Sequence, residues 1–430
     1  MLKKIFKMCF CFMFVTFIFS AGKMKIFAQD ISNSNIKITD WEYTKDADTI
    51  QLKSFHGSTS NGVELVIPNP ADFRSAGAKN ITKVKISRDV METIADIINK
   101  NCGSLKISNT NNEKVIASNA DWRDCFLEKD KITKMDLANL DTSNITNMQS
   151  MFSCCCKLTK LDVSTWNTSK VDCMSNTFSD CNSLNELDVS KWDTSNVTSM
   201  YGMFDCCKAL KKIDVSKWNT SKVEDMTDMF SACESLTELD VSNWNTSNVK
   251  DMNAMFFDCC SLTKLDLSNW DTHNIIHNTN EAGLNCLFSN CHNLQCIKFG
   301  PKWVISNACG ISSVFYNCDK LTMLDLADWD FNGCELNNAR LFYVEKQTPL
   351  LIITKNEKLL NYNFAADNRI AFVSTFKIKG QDNLKGNFEN ACEKKSINKI
   401  AMTPQEFKEI FAAETFDDNI LIMQVKSIVK

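Results

Sequence analysis

The chain carries 21 cysteines and four histidines in 430 residues. These side chains bind zinc, form disulfides or act as nucleophiles. Their spacing points elsewhere. Cys155, Cys181, Cys207, Cys233 and Cys259 recur every 26 residues, which is a packing period. In such a column cysteine is most simply a small buried hydrophobe, although stacked copies about 5 Å apart do not exclude disulfides. Cys154, Cys156, Cys173, Cys206 and Cys260 lie off the column. Nothing in the repeat requires them, so they are the better disulfide candidates. His273 and His277 are four apart, with Cys286, Cys291 and His292 nearby; this allows a zinc site or a bulged loop. No P-loop, G-x-S-x-G or H-E-x-x-H motif occurs, and no Cys–His pair stands outside the packing columns. The chain reads as a non-enzyme with no cofactor and no metal site.

The same period governs other residue types. Trp166, Trp192, Trp218, Trp244 and Trp270 are 26 apart, as are Phe152, Phe178, Phe204, Phe230 and Phe256. The unit reads L-x-x-L-D-(L/V)-S-x-W-(D/N)-T-S-(N/K)-V-x-x-M-x-x-M-F-x-x-C. Within it Leu161 and Val163 alternate with polar neighbours, which predicts a short strand. Ile145, Met148, Met151, Phe152, Cys155 and Leu158 recur at three- and four-residue steps, which predicts one face of a helical return. A strand with a helical return closes a coil, and no single coil buries its apolar edge, so coils must stack. The tryptophan column reads as stacked core or as an exposed aromatic stripe for sugar. Thr142 and its copies, which follow Asp or Asn, read as structural turn residues.

Eight strands are expected, beginning at Met135, Leu161, Leu187, Ile213, Leu239, Leu265, Ile297 and Leu324, with six extra residues entering near 273–282. At about 4.8 Å per coil the array would be roughly 40 Å long. The fold class is an α/β repeat solenoid: a leucine-rich-repeat-like array of 26-residue coils with a parallel sheet on one face, capped at both ends.

Two charged columns point outward from the strands. Asp162, Asp188, Asp214, Asp240 and Asp266 form one; Lys160, Glu186, Lys212, Glu238 and Lys264 form the other. Aligned carboxylates repel, and the lysines can pair with Asp on their own or the next strand as a solvated salt ladder. A divalent-cation or basic-ligand site is the other reading, without the glycine of a calcium loop. This mixed face is the candidate binding surface.

Lys3, Lys4 and Lys7 followed by apolar Met8 to Ser20 read as a signal peptide over 1–28. Export is expected, with no transmembrane segment in the mature chain. Residues 29–120 are expected as an N-terminal α+β capping region. Strands are placed at Trp41–Tyr43, Thr49–Leu52 and Val63–Ile67, and a helix over Asp89–Asn101. The repeat spans 121–345. Residues 346–430 form a C-terminal α+β cap, with a strand at Leu350–Thr354 and a helix from Thr403 to about Ala413. The net charge of −4 gives no reason to expect nucleic acid.

The repeat resembles the BspA-like leucine-rich-repeat surface proteins of bacteria. The resemblance is carried by Leu239-Asp-Val-Ser-Asn-Trp-Asn-Thr-Ser-Asn-Val249 with Met255, Phe256 and Cys259, by Trp41-Glu-Tyr-Thr44 and Asp121-Trp122, and by Leu359-Leu-Asn-Tyr-Asn-Phe-Ala-Ala-Asp-Asn-Arg369. It implies a secreted or cell-surface adhesion protein whose partner is a protein or glycan on host or neighbouring cells. It supplies no ligand-contacting residues. A structural component of a bacterial surface layer is the alternative.

Overall fold

A computed structural model of the protein describes residues 36–275 without interruption, then 283–305, 310–321, shorter stretches up to 373, and the pairing of Phe19–Ser20 with Lys23–Met24. The rest of the expected signal peptide, most of the 273–282 insertion and the helix expected from Thr403 lie outside the described residues.

β1 (Trp41–Asp46) and β2 (Thr49–Phe55) form an antiparallel hairpin. β3 (Glu64–Ile67), β4 (Lys83–Ile86), β5 (Ser104–Ile107) and β6 (Val115–Ala117) follow. Two helices interleave with them. α1 (Pro70–Ser75) starts at a reciprocal cap between Asn69 and Asp72, with Pro70 at its first position. α2 (Arg88–Lys100) is capped by Ser87 on the Val90 N–H and buries Met91, Ile94, Ala95 and Ile98, the i, i+3, i+4, i+7 stripe of a helix on a core.

Both sheets run on into the repeat. β2, β4, β6 and β8 (Leu140–Asp141) are parallel neighbours. So are β3, β5, β7 (Lys134–Asp136) and β9 (Lys160–Asp162), with Leu65, Leu105, Met135 and Leu161 in one register. The inward column of the repeat therefore begins well before residue 121.

Within the array the expected helical return is absent: among the described residues from 121 on there is no helix. The apolar residues at three- and four-residue steps are buried as expected, Ile145, Met148, Met151, Phe152, Cys155 and Leu158 alike. They sit on a succession of turns. The N–H groups of Met148, Ser150, Phe152 and Cys154 donate to Cys173, Ser175, Thr177 and Ser179 of the next coil. Those of Met151, Ser153 and Cys155 return three residues to Met148, Ser150 and Phe152. Two residues per coil, four apart, adopt positive φ: Ser150 and Cys154, Asn176 and Asp180, Gly202 and Cys206, Asp228 and Ala232. A left-handed residue every fourth position breaks any α-helix. Asn, Asp and Gly in these columns are the types that tolerate it. Asp121, Asn147, Cys173, Ser199, Asp225 and Asp251 bridge in parallel alongside.

The strand side behaves in the opposite way. β10 (Lys264–Leu267) pairs with β11 (Cys296–Phe299), β12 (Met323–Asp325) with β13 (Leu350–Ile353), and β13 in turn with β14 (Ile370–Val373). The strands expected at Leu187, Ile213 and Leu239 do not form a ladder. The column tryptophans stack along this side, Trp166 and Trp192 at 6.2 Å and 1°, Trp218 and Trp244 at 6.4 Å and 2°, Trp244 and Trp270 at 6.2 Å and 3°. Trp270 and Trp303 stack alike at 6.3 Å across coils whose strands β10 and β11 form a ladder, so ring spacing is not what separates the laddered coils from the others.

Candidate binding groove

The columns that resemble chemistry are core. The column tryptophans are buried, and each Nε1–H donates to a carbonyl of the preceding coil: Trp166 to Leu137 at 3.0 Å, Trp192 to Val163 at 3.3 Å, Trp218 to Val189 at 3.2 Å, Trp244 to Val215 and Trp270 to Val241 at 3.0 Å. They are stacked core and the hydrogen-bond ladder in one; an exposed sugar-binding stripe is not what forms. The thiols of Cys155, Cys181, Cys207, Cys233 and Cys259 each lie 3.1–3.2 Å from the carbonyl of Phe126, Phe152, Phe178, Phe204 and Phe230 respectively. Burial raises the pKa of all five, that of Cys155 to about 12. The off-column disulfide candidates Cys154, Cys156, Cys173, Cys206 and Cys260 are also free thiols. Cys154 and Cys206 occupy left-handed positions. Phe152, Phe178, Phe204, Phe230 and Phe256 stack at 5.3–6.0 Å. Thr142, Thr168, Thr194, Thr220 and Thr246 donate to the next coil at 2.8–3.0 Å. His273 meets Asp271 at 2.7 Å and His292 meets Asp319 at 2.9 Å; His277 lies outside the described residues. No group of three His, Cys, Asp or Glu suited to a metal occurs among the described residues.

The ten residues of the two outward columns are brought together. Lys160, Asp162, Glu186, Asp188, Lys212, Asp214, Glu238, Asp240, Lys264 and Asp266 line one groove of about 1150 Å³, floored by Leu161, Leu187, Ile213, Leu239 and Leu265 and closed at one end by Lys298. It holds four lysines against seven carboxylates.

The expected Lys–Asp ladder is not what organises it. Ion pairs stand at the ends: Lys106 with Asp136 at 3.6 Å, and Lys298 with Asp266 at 3.1 Å. Between them each aspartate is held by the serine two residues on. Ser164, Ser190, Ser216 and Ser242 each donate Oγ–H and backbone N–H to Oδ1 of Asp162, Asp188, Asp214 and Asp240, at 2.7–2.8 Å and 3.1–3.2 Å. The Ser216 hydroxyl and N–H hold the Asp214 carboxyl below the usual carboxylate range. Each Oδ2 is left open among the described residues. Lys160, Lys212, Lys264, Glu186 and Glu238 are exposed and form no ion pair there. The S after each D was visible in the sequence and was the signal for this clamp, an Asx-type turn.

The family described as Mycoplasma protein of unknown function, DUF285, matches this chain. It does so over 120–237, 175–282 and 202–329, overlapping stretches that together cover the groove and most of the repeat. No curated protein matches. Solved structures match it at low similarity. The Toll–Spatzle complex of Drosophila shares 11% identity and a TM-score of 0.21, covering 86% of this chain and 55% of that one. A leucine-rich-repeat protein of Leptospira interrogans shares 10% and 0.18, covering 60% and 86%. The plant peptide hormone receptor RGFR1 with RGF2 shares 12% and 0.19, covering 70% and 68%. This chain thus spans little more than half the length of the matched chain of the Toll–Spatzle complex.

Proposed function

We propose that this protein is a non-enzymatic binding protein, exported and held at or released from the cell surface, which engages a protein or glycan partner through the groove. One observation carries the reading. Four carboxylates are oriented in a row by their own serines, and beside them stand five charged side chains without ion-pair partners among the described residues, over an apolar floor. The serine-held carboxylates have already lost the freedom that binding would otherwise cost, and charge complementarity gives specificity. Lys3, Lys4 and Lys7 ahead of the apolar run to Ser20 support export. No helix among the described residues is long and apolar enough to cross a membrane. Adhesion to host matrix proteins or to other cells is the finer form of the reading. Residues 29–430, immobilised and exposed to matrix proteins and bacterial surface glycans, should bind at least one saturably. That binding should be lost in a D188K/D240K variant. A panel without any saturable binder, or binding indifferent to that variant, would overturn the reading.

A further inference from the structure

The strand side is laddered at both ends of the groove and unladdered between them. β7 pairs with β9, and β10 with β11. At the first of these boundaries the Leu137 N–H donates to the Asp162 carbonyl, one coil on, at 3.0 Å. The matching N–H groups of Val163, Val189, Val215 and Val241 have no hydrogen-bond partner among the described residues, although these valines are buried. Buried main-chain donors without partners are rare, because each carries the cost of a lost hydrogen bond. The floor of the groove is therefore a seam of four coil boundaries with backbone left unpaired.

The outward aspartates coincide with the seam. Where a lysine faces the aspartate across a boundary the strands ladder: Lys106 opposite Asp136, and Lys298 opposite Asp266. Aspartate faces aspartate from 136 to 162, 162 to 188, 188 to 214, 214 to 240 and 240 to 266. Only the first of these boundaries is laddered. Carboxylates directly opposite one another repel, and more strongly as the strands approach. Glu186 and Glu238 beside the row add to that repulsion. Lys160, Lys212 and Lys264, on alternate coils, form no ion pair with the row among the described residues. Closing the seam would satisfy the valine N–H groups and crowd the carboxylates, so the two effects oppose each other.

We infer that the groove floor is a charge-gated seam. With the aspartate row neutralised, Val163, Val189, Val215 and Val241 donate to the carbonyls of Asp188, Asp214, Asp240 and Asp266, as Leu137 does to Asp162, and one ladder runs from β7 to β11. With the row ionised and bare, the seam stands open. A partner whose cations cover the open Oδ2 atoms closes the floor beneath itself and narrows the groove. Only this last consequence rests on the binding reading above; the seam is a property of the free chain.

Hydrogen–deuterium exchange of residues 29–430, read at single amides, tests it with D188N/D214N/D240N. Asparagine keeps the serine clamp, since Asn167, Asn219 and Asn245 already hold the N–H groups of Ser169, Ser221 and Ser247 at 3.0–3.1 Å. The variant therefore removes charge alone. In the parent the Val189, Val215 and Val241 amides should exchange faster than that of Leu137. In the variant they should slow about tenfold, the effect of one net hydrogen bond. They should also slow in the parent at about 1 M salt, where the screening length is about 3 Å. Phe204 and Phe230, which donate to the next coil on the return side at 2.9 Å, should keep their protection and report that the variant is folded. If they lose it, the salt arm decides alone. Valine amides as protected as Leu137 in the parent, or unmoved by charge removal in the folded variant, overturn the inference. The matrix-protein panel is read separately. Closure without any saturable binder removes the binding reading alone. Saturable binding lost in D188K/D240K, with no closure, removes this inference alone.

Discussion

The indole Nε1–H of Trp218 donates to the carbonyl of Val189, one coil earlier, at 3.2 Å. The same carbonyl accepts the backbone N–H of Trp192 at 3.1 Å, so it has one partner in its own coil and one from the next. One residue type therefore fills the core and ties each coil to its neighbour.

Trp218→Phe keeps an aromatic ring in the stack and removes the indole donor, while the Val189 carbonyl keeps the Trp192 backbone N–H at 3.1 Å. A loss of roughly 0.5–1.5 kcal/mol is expected. Trp218→Ala removes the ring as well and should cost about 3–5 kcal/mol. Because each coil contacts only its neighbours, the central array should lose cooperativity in Trp218→Ala. Urea unfolding followed by circular dichroism measures both variants. A Trp218→Phe variant as stable as the parent would show that the indole donor contributes nothing.

The column thiols should resist alkylation in the folded protein. Cys181, Cys207, Cys233 and Cys259 are buried, and burial raises their pKa, which removes both access and thiolate. Cys102 and Cys296 are exposed and should label first. Cys206, at a pKa of about 12 through burial and then the nearby Asp205, should lag although it is partly exposed. Mass spectrometry after iodoacetamide at pH 8, native against denatured and without reductant, reads this directly. Column cysteines left unlabelled after denaturation would mean disulfides and contradict the S–H···O ladder.

Acid should relieve the return side of the array. Burial, then the charges of Asp205, Asp225 and Asp251, raise Asp228 to about 6, and burial raises Asp205 and Asp251 as well. In the unfolded chain an aspartate titrates near ~3.9. Between those values the folded state binds more protons than the unfolded one, so stability falls as pH rises from about 4 to 6 and stays lower above. Asp228→Asn removes the charge and suits the left-handed conformation at φ 53°. Its melting temperature should exceed the parent's at pH 7.5 and converge with it at pH 4. A difference independent of pH would show that titration of Asp228 is not the cause.

Much of the candidate site was legible in residue types alone. The outward columns, Lys160 to Lys264 and Asp162 to Asp266, line the groove because alternation along a short extended segment fixes which side chains face away from the core. Their partners were not legible. Lysine opposite aspartate suggested ion pairs, yet Ser216 reaches Asp214 first, since a residue two positions away in a turn is closer than a flexible chain on the next coil. The helix of residues 88–100 was legible for the ordinary reason: its cap and its apolar stripe are both local.

By itself the sequence determined the number of residues per coil, which side chains go inward, and that the coils must stack, because a 26-residue period with fixed apolar columns has no other way to bury its edges. The tertiary structure alone decided how the backbone is satisfied. Apolar residues at three- and four-residue steps serve a helix and a ladder of turns equally well. What separates the two is whether Phe152 and its neighbours donate within the coil or to Thr177 in the next. That partner lies a full coil away, where no local pattern reaches. The same holds for the tryptophan ladder: Trp218 meets Val189 across a coil boundary, a contact fixed only once the coils are stacked.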